Sequence, residues 1–581
     1  MVEAVAVKRM DEPIYDRNVV RVGKRVIPIG GPRPELRPGE KFIKTTQSIC
    51  PVCYRLMPAI VFERDNKVMI RKVCPEHGET EDVYWGDVEL YKKAMKWDIL
   101  GRGTYEYVDA KAPCPFTCGL CPIHRSHTAL ANLVITNRCN ISCWYCFYYA
   151  EKAGYVYEPS LDQIRFMVRQ LAKQGKAMVI QITGGEPTIR DDLIDIIKIL
   201  REEGVKHIQL NTNGLRFAQP DGAEFARKVR EAGVNTVYMS FDGVSPSTNP
   251  KNHWEMPYIL DAFRKGGLTS VVLVPTMIRT INDHEAGLIV KFAALNMDVV
   301  RGVNFQPVSL TGMMRKQERE RYRITIPDVI IKIEEQTDGQ IHRDAWYPVP
   351  CTLTLSRFIE ALTNKPQFEM SNHPACGMGT YVYVERKNGE IIRYLPITEF
   401  IDVEGFFEYL QEKTDELIKG KNKYVTLTKI LFNLKKFINE EKQPKEFNIW
   451  KILYGIFVRH NYEALGEFNY KMLYLGMMHF MDTYNYDVAR IMRCDIHYLT
   501  PDGRVIPFCT FNVLPDIYRD YIQEQYKISF EEWVAEKGSL DSMKYKRNIK
   551  ALQNSDLYRK TYEPFIPVSY THLTLPTNRE V

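Results

Sequence analysis

The stretch Leu133-Val-Ile-Thr-Asn-Arg-Cys139-Asn-Ile-Ser-Cys143-Trp-Tyr-Cys146-Phe147 decides how the chain is read. Leu133-Val-Ile is a short apolar run of strand character that breaks at the polar Thr136-Asn137-Arg138. Three cysteines follow with the spacing C-x3-C-x2-C. Three thiolates on one loop suit three irons of a [4Fe–4S] cluster, which ordinarily takes four cysteines, and leave the fourth iron open. A zinc knuckle, or three cysteines of a core, would carry the same spacing, so the surrounding sequence has to separate the readings.

Residues 129 to about 310 alternate strand and helix, the pattern of a parallel α/β sheet or barrel. The expected strands are ALANLVIT, AMVIQIT, KHIQLNT, TVYMSFD, SVVLVPTM and GVNFQPV. Ser160-Leu-Asp-Gln163 is a capping box, and Ile164, Met167, Val168 and Leu171 then recur at helical spacing. DDLIDIIKILREE opens with carboxylates, which suit the positive end of a helix, and stops at Gly204. In parallel barrels chemistry gathers at the C-terminal strand ends. Thr183-Gly184-Gly185-Glu186-Pro187 ends the second strand, and its glycines let a ligand approach the backbone closely. Asn211-Thr212-Asn213-Gly214 ends the third strand and Ser240-Phe241-Asp242-Gly243 the fourth, with Ser240 and Asp242 on one side of an extended chain. Arg279 follows the fifth and suits a carboxylate bidentately. Taken singly, these residues serve equally as turn formers, and Arg279 as a surface arginine.

The cysteine loop at a first strand end, GGEP after the second and six strand–helix units resemble the radical S-adenosylmethionine (SAM) superfamily. The resemblance implies a partial (βα)6 barrel whose cluster, on Cys139, Cys143 and Cys146, binds SAM at its open iron. Reductive cleavage then gives a 5′-deoxyadenosyl radical that abstracts hydrogen. It further implies Gly184, Gly185 and Glu186 at the SAM amino group, and Asn213, Ser240 and Asp242 at its carboxylate and ribose. Arg279 would pair with the carboxylate and Phe147 would lie beside the adenine.

Two further cysteine groups precede the barrel. Residues 1–45, rich in Pro, Gly and charge, read as an irregular arm. In 46–85, Cys50-Pro-Val-Cys53 and Cys74-Pro-Glu-His77-Gly flank a hairpin in which Ile60 and Phe62 alternate on one strand and Val68 and Ile70 on the other, turning at Asp65-Asn66. A hairpin brings its ends together, so Cys50, Cys53, Cys74 and His77 form a zinc-ribbon-like or rubredoxin-like Cys3His site for one zinc or iron; His77 alone would be an ordinary turn histidine. In 86–128, partly helical at VELYKKAMKWDIL, a second triad stands at Cys114, Cys118 and Cys121. It sits in a Pro/Gly-rich loop with no long strand before it, which makes it an auxiliary cluster, with His124, His127 or a distant acidic residue as candidate fourth ligands.

Residues 311–518 read as a largely helical C-terminal domain. RKQERERYR is a solvated charged face and IPDVIIKIEEQ a helix. FNIWKILYGIFV and NYKMLYLGMMHFMDTYNY suit a helical bundle or the wall of a long lipid tunnel. Asp502-Gly503 turns a hairpin that returns Cys509 towards Cys494. With Cys351 and Cys376 they make four cysteines, the number of a closed [4Fe–4S] cluster, unless they are four separate buried thiols. Residues 519–566 read as a helical, charged extension, and 567–581, PVSYTHLTLPTNREV, as vector-derived or out-of-frame sequence.

The totals fit this modular reading. A length of 581 residues suggests two to four modules, and 45% hydrophobic with 26% charged residues is ordinary for a globular protein. A net charge of +6 gives no argument for nucleic acid but would tolerate anionic head groups. No membrane span is expected, and MVEAVAVKRMDEP lacks the apolar core of a signal peptide, which points to the cytoplasm. Thirteen mostly clustered cysteines read there as metal ligands rather than disulfides.

Taken together, CPVC…CPEHG, CPFTCGLC, CNISCWYC with GGEP, and CDIHYLTPDGRVIPFC resemble the archaeal tetraether lipid synthase family over roughly residues 45–520. That resemblance implies SAM, three [4Fe–4S] clusters and one mononuclear iron or zinc. It also implies an archaeol-type phospholipid substrate, with two isoprenoid tails joined by an sp3–sp3 carbon–carbon bond. An external donor such as ferredoxin or flavodoxin would supply electrons, and the enzyme could touch the inner membrane face. One alternative is radical C-methylation of a pterin in methanopterin synthesis, which would need carboxylate or amide groups lining a small pocket; the sequence locates no such set. An alternative of another class, a non-catalytic iron–sulfur electron carrier, would need the clusters but neither GGEP nor the Ser240/Asp242 face.

Overall fold

The computed structural model describes residues 7–8, 11–148, 154–314, 316–445, 450, 452, 466, 468, 470–538 and 544–565. Four antiparallel strands form the metal module: β1 (Lys41–Ile49), β2 (Leu56–Arg64), β3 (Lys67–Cys74) and β4 (Gly78–Trp85). Asp65 and Asn66 turn the central hairpin with φ of 51° and 57°, a left-handed pair that matches the twist of the strands it joins. Ile60 and Phe62 pair with Arg71 and Met69, so Val68 and Ile70 fall on the opposite face, against the main core. The arm expected at 1–45 is not wholly irregular: Ile14–Asp16, Val19–Val22 and Arg25–Pro28 form a three-stranded antiparallel sheet.

Six strands then lie side by side in sequence order and all parallel: β5 (Leu130–Thr136), β6 (Val179–Gly184), β7 (His207–Thr212), β8 (Thr236–Ser240), β9 (Val271–Val274) and β10 (Val300–Pro307). Helices α1 (Leu161–Ala172), α2 (Leu193–Glu202), α3 (Gly222–Ala232), α4 (Met256–Gly266) and α5 (Ala286–Leu295) connect them. The Ser160 capping box starts α1, and Gly204, at φ 84°, follows α2. Register sorts the strand residues by face. Ile180, Ile208, Ile182, Leu210 and Val237 line up on the face that packs in the helical core. Asn132, Gln181 and Gln209 line up on the other.

The C-terminal segment adds strands to both edges of this sheet. On the β10 side, β12 (Met472–Met478) runs parallel to β10 and antiparallel to β11 (Gly377–Lys387). On the β5 side, β13 (Ile496–Leu499) runs parallel to β5 and hairpins into β14 (Val505–Pro507), with Gly503 at φ 87° in the turn. Helices Thr352–Thr363, Val403–Ile418 and Lys423–Asn433 supply the expected helical part.

The methionine-rich stretch is thereby corrected. Met472–Met478 is a strand inside the sheet, with Leu473, Leu475 and Met477 in the core, because pairing on both sides overrides its helical composition. Most of FNIWKILYGIFV lies outside the described residues. The charged run is largely solvated through Arg321, but its last residue is not: Arg323 is buried between Asp82 and Asp482. Among the described residues no helix is long and apolar enough to cross a membrane.

Candidate active site and metal centres

Cys139, Cys143 and Cys146 leave the C-terminal end of β5 on a loop tied to the neighbouring strands. Gly185 N–H donates to the Thr136 carbonyl at 2.9 Å and Glu186 N–H to that of Arg138 at 2.8 Å. Gly184 has φ 141°, and a Cβ there would overlap the Thr136 carbonyl, so the approach of β5 by itself demands a glycine. The buried Glu186 carboxylate accepts from Thr188 Oγ1 at 2.6 Å, Thr212 Oγ1 at 2.7 Å and Asn213 N–H at 2.7 Å. The Asn213 amide in turn donates to Asn140 Oδ1 at 2.7 Å, inside the cysteine loop. Asp242, also buried, accepts from Tyr145 Oη, another loop residue, from Lys251 Nζ at 3.0 Å and from Thr276 N–H at 2.8 Å. The GGEP edge and two strand ends therefore hold the loop from three sides.

The remaining expected contacts separate. Ser240 is half-buried at its strand end, and Phe147 is exposed with its ring 5.7 Å from Phe508. Arg279 turns instead to Asp328, at 3.6 Å, since that carboxylate stands at the start of the adjacent helix Ile326–Gln336. The thiol of Cys139 is pushed well above its usual range by burial, then by the Glu186 carboxylate and the Cys143 and Cys146 thiols. Such a donor set favours thiolates when iron supplies the positive charge, so these residues fit a cluster.

The Cys3His set closes at the tips of β1–β2 and β3–β4. The ligating atoms of Cys50, Cys53, Cys74 and His77 all lie within 4.8 Å of one another. His77 Nδ1 is 3.7 Å from Cys50 Sγ and 3.4 Å from Cys74 Sγ. Burial opposes ionisation of Cys74, but His77 and nearby backbone N–H groups bring its thiol down to about 7. Four soft donors converging on one point fit a single tetrahedral ion.

The third and fourth cysteine groups are neighbours. Cys114, Cys118 and Cys121 line one cavity together with His124. Cys118 Sγ lies 3.6 Å from Thr510 Oγ1, which is 3.2 Å from Tyr486 Oη. Burial, then the Cys118, Cys114 and Cys509 thiols, disfavour ionisation of Tyr486, which stands between the two groups. Cys494 is raised by burial, then by Cys509 and Asp495, with Cys376 adding to it, so these three thiols lie within electrostatic reach of one another. Arg490 Nε is 3.3 Å from Cys376 Sγ. Cys351, the fourth expected ligand, ends the short turn Val349–Cys351, which packs against the turn Pro374–Cys376. Burial pushes it up to about 12, and the charge that acts on it is Lys93 rather than another thiol.

One set of residues escaped the sequence reading. On the inner face of the sheet Gln181 Nε2 donates to Asn132 Oδ1 at 2.9 Å, and Gln209 donates to Gln181. Asn211 Nδ2 donates to Thr183 Oγ1 at 3.2 Å, and Asn304 Nδ2 to Tyr238 Oη at 2.9 Å. The available signal was an amide at alternate positions of NLV, IQI, IQLN and VNFQ, which marks a polar inner face.

Comparison with known proteins bears on what this arrangement serves. The Radical SAM superfamily matches residues 133–293, and the HMPTM N-terminal zinc ribbon domain matches residues 42–86. The 7,8-dihydro-6-hydroxymethylpterin dimethyltransferase of Methanocaldococcus jannaschii is 46% identical over 499 residues, 84% of this chain and 97% of that protein. A probable GTP 3′,8-cyclase of the same organism is 26% identical over 36% of this chain and 67% of its own. The solved structure of HydG, a maturase of the [FeFe]-hydrogenase, aligns over 36% of this chain and 50% of its own at 16% identity, with a TM-score of 0.30. The radical SAM barrel with an N-terminal zinc ribbon is thus the fold, and SAM, [4Fe–4S] chemistry and a mononuclear metal go with it. The expected tetraether lipid synthase is overturned, and with it the archaeol-type phospholipid and the lipid-coupling reaction, because the relative that matches nearly end to end is named for a pterin.

Proposed function

The chain belongs to the 7,8-dihydro-6-hydroxymethylpterin dimethyltransferase family, and from that premise we propose that it is a radical SAM C-methyltransferase acting on a dihydropterin. The observation that carries the reading is the amide-lined inner face of the barrel, Asn132, Gln181, Gln209, Asn211 and Asn304. A pterin presents a flat edge of alternating donors and acceptors, and primary amides match such an edge with both signs. An isoprenoid tail would gain nothing from that surface and would leave its amides desolvated.

Bound at Cys139, Cys143 and Cys146, a [4Fe–4S] cluster supplies reductive cleavage of SAM and a hydrogen-abstracting radical. The chain's own residues position that loop. Glu186 locks the ends of β6 and β7 together, Asn213 holds the loop through Asn140, and Tyr145 anchors its far side on Asp242 and Lys251. We assign Gly185, Asn213 and Ser240 to the SAM-facing edge, with Phe147 at its rim. The two remaining thiol groups, Cys114/Cys118/Cys121 and Cys376/Cys494/Cys509, complete a three-cluster reading. A reducing compartment such as the cytoplasm belongs to the same reading, since the thirteen cysteines fall mostly in metal-ligand spacings.

Anaerobic reconstitution with SAM, dithionite and 6-hydroxymethyl-7,8-dihydropterin should give 5′-deoxyadenosine and a pterin heavier by one or two methyl groups. Cys139→Ala should abolish both products. Deoxyadenosine from the intact enzyme beside an unmethylated pterin would refute the substrate assignment.

A further inference from the structure

We propose that His124, through Nδ1, is the fourth iron ligand of the cluster on Cys114, Cys118 and Cys121, making that cluster closed and histidine-ligated. The inference rests on the reading of this triad as a cluster site and is independent of the substrate.

Three observations carry it. His124 lines the same cavity as the three thiols, and the rest of the wall is largely apolar. The sequence continues the triad's spacing, Cys118-x2-Cys121-x2-His124, and the chain turns back at that point because His124 N–H donates to the Cys121 carbonyl at 2.9 Å. Most decisive is the other ring nitrogen. His124 Nε2 lies 2.8 Å from the backbone carbonyl of Cys494. A carbonyl only accepts, so Nε2 carries the proton and the lone pair of the neutral ring is on Nδ1. A histidine that ligates a metal almost always donates its other N–H to such an oxygen, which fixes the tautomer and raises the basicity of the ligating nitrogen. His124 is buried, so the ring has no exchange of partners with bulk water.

The other candidates are engaged elsewhere. His127 Nε2 faces the Glu369 N–H at 3.5 Å, and its ring packs edge-on against Phe368. His497 donates its Nε2 proton to the same Cys494 carbonyl at 2.8 Å, but its Nδ1 meets Thr128 Oγ1 at 2.8 Å. Asp502 is paired with Arg504.

The assignment has chemical consequences. With all four irons ligated by the chain, no iron there is open to SAM or substrate, which leaves the cluster to move electrons. Imidazole in place of thiolate removes one negative charge and raises the reduction potential, as it does in other histidine-ligated clusters. The Cys494 carbonyl that orients His124 belongs to a residue of the neighbouring thiol group, so the two sites are mechanically joined.

The test uses full-length chain carrying Cys139→Ala, Cys143→Ala and Cys146→Ala, reconstituted anaerobically without SAM, so that the SAM-binding cluster and the SAM nitrogen contribute no signal. Pulsed EPR of the reduced protein should show a strong 14N coupling that converts to a 15N pattern when only histidine is 15N-labelled. Adding His124→Cys should abolish that coupling, keep the iron content unchanged and lower the potential of one cluster. A histidine coupling that survives His124→Cys, or its absence from the parent, overturns the assignment. Iron is counted in parallel in Cys114→Ala/Cys118→Ala/Cys121→Ala. A drop of about four irons per chain with no histidine coupling in the parent refutes His124 alone, whereas unchanged iron refutes the cluster reading beneath it.

Discussion

Single residues at this site act mostly through what they hold in place. Gln181 is the clearest case, because it both donates to Asn132 and accepts from Gln209. Gln181→Leu should leave both amides partly unsatisfied and strip the inner face of its central polar group. The expected result is a KM for dihydropterin raised about tenfold, equivalent to about 1.4 kcal/mol of binding, with a smaller change in kcat; steady-state kinetics would show it, and an unchanged KM would count against pterin binding on this face. Legibility differed even within one motif. GGEP was visible as a motif, but that Gly184 lets β5 approach and that Glu186 clamps Thr188, Thr212 and Asn213 was not. Spacing announces a motif's residues but does not say which neighbour each one meets.

At the scale of elements, the seam between β5 and β6 carries the cysteine loop. Gly184→Ala forces a Cβ onto the Thr136 carbonyl at a backbone angle that disfavours side chains. It should cost about 3 kcal/mol or more and, if the protein still folds, halt deoxyadenosine formation; a thermal melt and a SAM-cleavage assay together would report it. The helices and strands of the barrel were legible because each carries its own period and cap, as at Ser160 and Gly204. Met472–Met478 was not, because its strand state comes from partners far away in sequence, β10 and β11.

For the whole molecule, the metal module is keyed into the barrel by buried charge. Arg323 reaches Asp82 of the module at 2.6 Å and Asp482 beyond β12 at 2.7 Å. Lys44 of β1 meets Asp487 at 2.9 Å, and Tyr84 Oη donates to the same carboxylate at 2.8 Å. Arg323→Met would strand two buried carboxylates and should cost about 3–5 kcal/mol near neutral pH. Burial alone would raise the Asp482 carboxyl, but Arg323 beside it prevails and holds it well below the usual carboxylate range. That contribution is fully present above the unfolded value near pH 4 and fades as pH falls below it. Denaturant titrations should therefore show the gap between Arg323→Met and the parent narrowing in acid, and a constant gap would contradict this origin. Chelation of the Cys3His metal should loosen β1–β4 first, since the four ligands close both tips of that sheet. Hydrogen exchange rising there before the barrel is the expected order; simultaneous loss throughout would show that the module has no separate metal dependence.

The sequence by itself determined the three-fold cysteine pattern, the strand–helix alternation and the Cys3His module. In each, the chemistry lies in short spacings that survive any tertiary arrangement. The wider pattern also suggested a lipid enzyme, which comparison with the pterin relative corrected. Only the tertiary structure decided that Arg279 turns to Asp328, and that His124 lines the cavity of the second triad with Nε2 on the Cys494 carbonyl. The reason is physical. A ligand set drawn from segments hundreds of residues apart depends on which backbone carbonyls, carboxylates and strand faces meet after folding. A linear spacing carries no record of that meeting.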